Sequence, residues 1–306
     1  MPSSAPDFNG INLGRHEIVI GIDGFLNENA EDEERIFAGK IRLCSAKVYW
    51  PELNRSNINK VINIKTKQEI EVMREGGKIL AEILKKLVQA VKPGIETNDL
   101  ESIARELIER RDVKPSFLGY GDFPAVLCIS INEEVVHGVP SSRKLLDGDL
   151  LKLDIGIQHK GFHTDTATTV IVGESSDPEK NRLLSITKEA LNVGISKAIA
   201  GNTMGDIGYA IQKFAESNGF NVTRELIGHG IGKDLHEAPE VPNFGEPGTG
   251  PKIVEGMVIA IEPMLVTGDW KVKEKGFVFS TKDKGLAAHF EHTVAIVDGK
   301  PVILTI

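Results

Sequence analysis

The sequence predicts a mixed α/β domain built from two related halves, each running helix, helix, then strands that carry buried acids. Three observations predict it. Residues 149–170 read as a β-hairpin, two β-branched and apolar runs around Gln158-His159-Lys160-Gly161. Its acidic positions recur later in the chain: Asp147-Gly148 precede Asp154 by seven and six residues, and Glu255-Gly256 precede Glu262 by the same offsets. Asp165 likewise leads to Gly173 and Glu291 to Gly299, eight residues on in both cases. Helix starts at 67 and 178 lie 111 residues apart, and Asp154 and Glu262 lie 108 apart, so the chain reads as an internal duplication.

The hairpin carries the chemistry. With its turn centred between His159 and Lys160, positions summing to 319 face each other, and Asp154 stands opposite Asp165. Like charges facing across strands repel, and a bare carboxylate in an apolar strand is costly. A divalent cation between them removes both objections. The competing reading, in which one Asp ends its strand and faces water, is outweighed by the second acidic strand pair at Glu262 and Glu291. Four acids in two duplicated strand pairs are explained by a shared metal cluster.

Composition sets the outer limits. The chain has 306 residues, 41% hydrophobic, which is enough for one large domain or two ordinary ones. A formal net charge of −8 argues against a primary nucleic-acid binder, which would show a basic face. Cys44 and Cys128 are the only cysteines, so no disulfide framework is implied, and the expected compartment is the reducing cytoplasm. Near the start, Ile18-Val19-Ile20 is too short for a signal-peptide core or a membrane span, and the acidity of the first 40 residues is unlike a transit peptide.

Residues 1–62 form a separate N-terminal extension. Met1–Gly14 is polar, His16–Ile22 and Ile41–Trp50 suit short strands, and Asn27–Arg35 is an acidic loop or helix start. No ligand pattern appears in this zone. From residue 63 to 306 the pattern sharpens into one domain. Thr66 and Glu69 form a capping box, and Ile70, Met73, Gly77, Leu80, Leu84, Leu87 and Val91 recur at helical spacing, so 67–91 is an amphipathic helix. Thr97 or Asn98 caps a second helix that ends before Lys114-Pro115. In the second half, Asp177-Pro178 opens a helix running to Ala200-Gly201, and Thr203 opens another that stops at Asn218-Gly219.

Histidines complete the pattern. His229 lies in Ile227-Gly228-His229-Gly230-Ile231-Gly232, where glycines let backbone pass close to something, and His236 follows seven residues later. His137 precedes Gly138-Val139-Pro140 at a strand end. His163 and His289 each lie two residues before an acid, Asp165 and Glu291, on the same strand face, and are candidates to support it. The four acids balance two divalent ions. One His among oxygen donors suits Mn, Fe, Co or Zn, and the missing cysteines exclude a thiolate zinc site.

Five segments, Asn132–Pro140, Leu153–Thr166, Gly228–Pro239, Ile261–Met264 and Glu291–Val294, resemble the methionine aminopeptidases in order and spacing. The resemblance implies the pita-bread fold, a pseudo-twofold α/β arrangement. It places Asp154, Asp165, His229, Glu262 and Glu291 at the family's five metal ligands, with Asp165 and Glu291 bridging two divalent ions. It places His137 and His236 at the substrate-contacting histidines and makes Glu262 the proton carrier. The implied reaction is hydrolysis of the first peptide bond of nascent chains whose second residue is small, with release of Met. The 26 residues from His236 to Glu262 leave no room for the helical insert of the type II enzymes, so the chain resembles type I.

Tyr120, Phe123, Cys128 and Phe277 fall at the family's methionine pocket. Leu235 falls there too, where an aromatic is common, which alters the expected pocket shape. A monomer acting on nascent N-termini, including those presented at the ribosome, is expected, without nucleic-acid or membrane binding of its own. Two rivals share the fold: an Xaa-Pro aminopeptidase, which usually carries a larger N-terminal domain, and a metal-free binding protein, which should have lost several of the five ligands.

Overall fold

A computed structural model describes residues 61–306, and from Lys67 to Ile303 it alternates helix pairs with antiparallel strands in the order the duplication predicts. The strands and acidic segment expected in residues 1–60 lie outside the described residues. No described helix is long and apolar enough to cross a membrane.

Helix α1, Lys67–Ala90, starts at the predicted box: Thr66 Oγ1 accepts from Glu69 N at 3.2 Å, and the Glu69 carboxylate accepts from Thr66 N at 2.8 Å. Its stripe of Ile70, Met73, Gly77, Leu80 and Leu87 is buried. Helix α2, Thr97–Arg110, has Glu96 at its N-cap, one residue ahead of the expected Thr97 or Asn98. Glu96 N donates to Asp99 at 3.1 Å, and the Thr97 hydroxyl is taken by the Ser141 carbonyl at 2.9 Å. Helix α3, Pro178–Lys197, opens on Asp177 as predicted but stops short of Ala200-Gly201. Ala200 N and Gly201 N leave the helix to bond the Gly299 and Ile253 carbonyls. Helix α4, Met204–Ser217, is capped by Thr203 with Asp206.

The strands form a nine-stranded sheet whose centre joins the halves. Leu150–His159 pairs with Phe162–Ile171, which pairs with Glu291–Val297, which pairs with Val258–Ile261 and then Gly228–Gly230, all antiparallel. Helices α1 and α2 pack on one apolar cluster with the first-half strands, including Leu80, Leu100, Leu151 and Leu153. Helices α3 and α4 pack on a second cluster with the other half, including Leu191, Ile207, Ile259 and Val294.

The hairpin register differs from the expected one by two residues. Asp154 pairs with Ala167, and Asp165 pairs with Gly156. The cause is the turn. His159 pairs with Phe162, leaving Lys160-Gly161 as a two-residue loop with φ of 48° and 87°. Positive φ at both central positions is the hairpin turn whose twist matches the strands. A shift of two keeps both aspartates on one face, where a shift of one would have separated them.

Candidate metal centre and active site

The register builds the acidic site row by row. Ala167 pairs with Asp154 on one side and Glu291 on the other, so these three residues share a face in a line across the sheet. Asp165 lies one pleat along the same strand. Ile261 pairs with His292, and extending that register by one residue sets Glu262 beside Glu291. The small Ala167 side chain in the middle leaves room for the carboxylates to converge. Thr293 ties the halves at this seam: its hydroxyl accepts from Asp165 N at 2.9 Å and donates to Asp165 O at 2.8 Å, while Thr166 Oγ1 donates to Glu291 O at 2.8 Å.

One cavity is lined by Asp154, Asp165, His229, Glu262 and Glu291 together with His137, His236, Cys128 and Phe117. The structure thus brings all five expected ligands and both expected substrate histidines together. Ligand atoms of Asp165, His229 and Glu291 lie within 4.8 Å of one another. His229 Nε2 is 3.8 Å from Glu262 Oε1. Its Nδ1 sits 2.8 Å from Gly230 O, and a carbonyl only accepts, so Nδ1 carries the ring proton. That leaves the Nε2 lone pair for a cation. Asp154 Oδ1 and Glu291 Oε1 are buried without a hydrogen-bond partner. Orphaned carboxylate oxygens and a lone pair aimed into one cavity fit a divalent metal.

Electrostatics agree. Burial, then the charges of Asp165 and Glu262, pushes Asp154 well above the usual carboxylate range. Burial and Asp165 do the same to Glu262, and burial with Asp165, Glu262 and Asp154 to Glu291. Burial raises Asp165 to about 7. The histidines move the other way: burial lowers His137 and His229 to about 4, and burial with the neighbouring imidazoles holds His236 well below its ordinary value. The site thus favours protonated acids and neutral imidazoles until positive charge arrives.

The remaining expected residues form the apolar side. Phe123, Cys128 and Leu235 belong to one buried cluster, with Tyr120 and Phe277 packed against it. Phe123 meets Phe277 edge-to-face at 5.4 Å, and the Tyr120 hydroxyl lies 2.8 Å from His236 Nδ1. Of the two supporting histidines, His289 is buried but meets Glu262 rather than the expected Glu291, with Nε2 3.3 Å from Glu262 Oε2. The expectation for His163 is corrected: its ring lies between Ser116 Oγ at 2.8 Å and Gln158 Nε2 at 3.0 Å, and it does not line the cavity.

Three residues escaped the sequence reading. Phe117 lines the cavity from the segment before Tyr120. Ala167 gave no signal, because an alanine in a strand is unmarked. Lys152 is buried, with Nζ donating to Asn132 O at 2.8 Å and Ala287 O at 3.0 Å. Burial lowers its pKa to about 7. A lone lysine between leucines, two residues before Asp154, was the readable signal.

Comparison with known proteins agrees with this geometry. The pattern of metallopeptidase family M24 matches residues 71–298. A methionine aminopeptidase from Clostridium acetobutylicum is 49% identical over 249 residues, covering 80% of this chain and 99% of that protein. The Escherichia coli methionine aminopeptidase is 39% identical, covering 80% and 94%. Among solved structures, the methionine aminopeptidase of Thermotoga maritima superposes with a TM-score of 0.78 at 43% identity, covering 80% of this chain and 99% of that one. Prolidase from Pyrococcus furiosus, at 23% identity and a TM-score of 0.64, shares the fold alone. With the pita-bread architecture, the metal-fitting cavity and relatives of this closeness in hand, the chain belongs to metallopeptidase family M24 and, within it, to the methionine aminopeptidases.

Proposed function

We propose that the cavity is a dinuclear metal site at which this chain, a methionyl aminopeptidase, removes the N-terminal methionine from polypeptides whose second residue is small. Asp154, Asp165, His229, Glu262 and Glu291 are the residues that would hold two divalent ions drawn from Mn, Fe, Co or Zn. The carrying observation is the set of orphaned carboxylate oxygens in one cavity with a His229 lone pair beside them. Bound divalent ions supply Lewis acidity, which polarises the scissile carbonyl and eases deprotonation of water.

The protein's own groups do the rest. Glu262, raised by burial and set between His229 and His289, takes a proton from the attacking water and passes it to the leaving amine. His236 and His137, held neutral by burial, donate hydrogen bonds to the substrate. Phe123, Cys128, Leu235, Phe277 and Tyr120 enclose the methionine side chain in apolar and aromatic groups and exclude water from it. Leu235 in place of an aromatic keeps an apolar wall of a different shape.

Residues 63–306 are the catalytic unit and 1–62 an extension to it. The enzyme works as a monomer in the cytoplasm on emerging chains, which the ribosome presents. Chelation followed by separate add-back of Mn, Fe, Co and Zn is the test. Release of Met from Met-Ala-Ser should vanish and return with metal, with no cleavage of Xaa-Pro bonds. Activity that persists through chelation overturns the metal assignment.

A further inference from the structure

Lys65 and Glu237 form an ion pair with Nζ 2.6 Å from Oε2, and their side chains are only 4% and 3% exposed. A buried pair of this kind is weak evidence for stability, since well-packed apolar residues often do as well. Its place in the fold points to another role. Glu237 follows His236 directly and ends the loop that swings His236 toward the cavity. Its other oxygen accepts from Asp234 N at 3.2 Å, closing the loop on itself. Lys65 comes from the segment just before α1, where its own N donates to Gly256 O at 2.8 Å and its Nζ also donates to Asn63 O at 3.0 Å.

The loop is built around the lysine. A Cβ at Gly232 would lie 2.5 Å from Lys65 Cε and 2.7 Å from Glu237 Oε1, so any larger residue there would have to displace the ends of the ion pair. On the opposite side, His163 N donates to Gly232 O at 2.7 Å, fastening the loop to the acid-bearing hairpin. The base of the His236 loop is therefore clamped between Lys65 and the hairpin, while the His236 ring is held at its far edge by Tyr120.

We propose that Lys65, acting through Glu237, is a positioning residue that sets where the His236 imidazole meets the substrate. The inference rests on His236 facing substrate, as proposed above. A positioning fault of about 1 Å costs roughly 10- to 100-fold in rate without a comparable loss of binding. The test uses the full-length, metal-loaded enzyme with Met-Ala-Ser. The double variant Lys65→Met with Glu237→Leu removes both charges, so neither is left buried and alone. Its kcat should fall roughly 10- to 100-fold, with KM and Mn affinity held within about twofold. In a His236→Ala background the same double replacement should cost less than about twofold more, because the group it positions is gone.

Gly232→Ala keeps both charges and presses a methyl against the lysine, and it should reproduce the kcat loss. It serves as the arbiter should the double variant fail to fold. Wild-type kcat in a folded Lys65/Glu237 or Gly232 variant overturns the inference, as does a full multiplicative loss in the His236→Ala background. Undiminished activity of His236→Ala alone refutes the role of His236 itself, a separate failure visible without touching Lys65.

Discussion

Two groups of side chains line the cavity, an acidic wall and a histidine wall, and they are held in different ways. The acidic wall sits on regular strands. Asp154, Ala167 and Glu291 share one row of the sheet, and Thr293 and Thr166 lock the seam between the halves. The histidine wall sits on irregular backbone. His137 has φ of 60°, His229 lies where the strand pairing shifts register at Gly230, and His236 projects from a loop. Sheet register fixes spacing closely and suits carboxylates that must converge on bound positive charge. Loops and bulges re-aim side chains and suit groups that must meet a substrate. The difference suggests a division of labour: the sheet sets the carboxylates, and the irregular segments set His229 beside them and aim His137 and His236 into the cavity.

The sharpest way to break that comparison is to remove one group from each wall. Asp165→Asn should cost on the order of 10³-fold in kcat/KM. It should also lower the metal content of the purified protein, read by elemental analysis. His137→Ala should cost about 10²-fold in kcat while metal content stays unchanged. Full metal retention in Asp165→Asn, or metal loss in His137→Ala, would erase the division between the walls.

The division also explains what the sequence could disclose. Acids on strands leave a pattern, because a charged residue in an apolar run is conspicuous, and duplication shows it again at the same offsets from an acid-glycine pair. Asp154, Asp165, Glu262 and Glu291 were legible for that reason, as were three helix starts through Thr66, Asp177 and Thr203. The hairpin register was not, because the difference between a turn at His159-Lys160 and one at Lys160-Gly161 lies in backbone twist rather than composition. The histidines were found through flanking glycines and through resemblance, since a loop has no periodicity. Ala167 acts by being small, and smallness in a strand carries no mark. His163 was misplaced because sharing a strand face with Asp165 does not stop a side chain from turning to Ser116 and Gln158.

Titration of the metal-free protein sharpens the contrast further, because the walls respond to pH with opposite signs. The acids have folded pKa values above their unfolded ones, so their contribution is present at low pH and lost as pH rises through the folded values, about 7 for Asp165. The histidines have lowered values, about 4 for His137 and His229, so their contribution is present above about 6.5 and lost as pH falls toward 4. Between those limits the two oppose. Above 6.5 the histidines no longer titrate and Asp165 still does, while Lys152, lowered to about 7, runs the other way only beyond that value. Thermal unfolding of the chelated protein should show stability falling as pH rises from 6.5 to 7, by up to about 1.4 kcal/mol per unit for each net proton lost. Added Mn should abolish the fall. A chelated protein whose stability climbs steadily from pH 6.5 to 7 would mean that the acids do not sit together unneutralised.

The smallest expected effect tests how the histidine wall is tuned. His236 is neutral, so its single ring proton lies on one nitrogen or the other. The Tyr120 hydroxyl, 2.8 Å from Nδ1, can donate to that nitrogen and so place the proton on Nε2. Nε2–H is then the donor that His236 can offer a substrate carbonyl. Tyr120→Phe removes the hydroxyl and keeps the ring that packs edge-to-face on His236 at 5.1 Å. The methionine pocket keeps its apolar lining, so KM should hold while the fraction of His236 in the donating form drops. A fall in kcat of about three- to tenfold is expected, the loss of one neutral hydrogen bond of roughly 1 kcal/mol. If instead KM rises and kcat holds, Tyr120 contributes to methionine binding and His236 is oriented without it, by the backbone of its own loop.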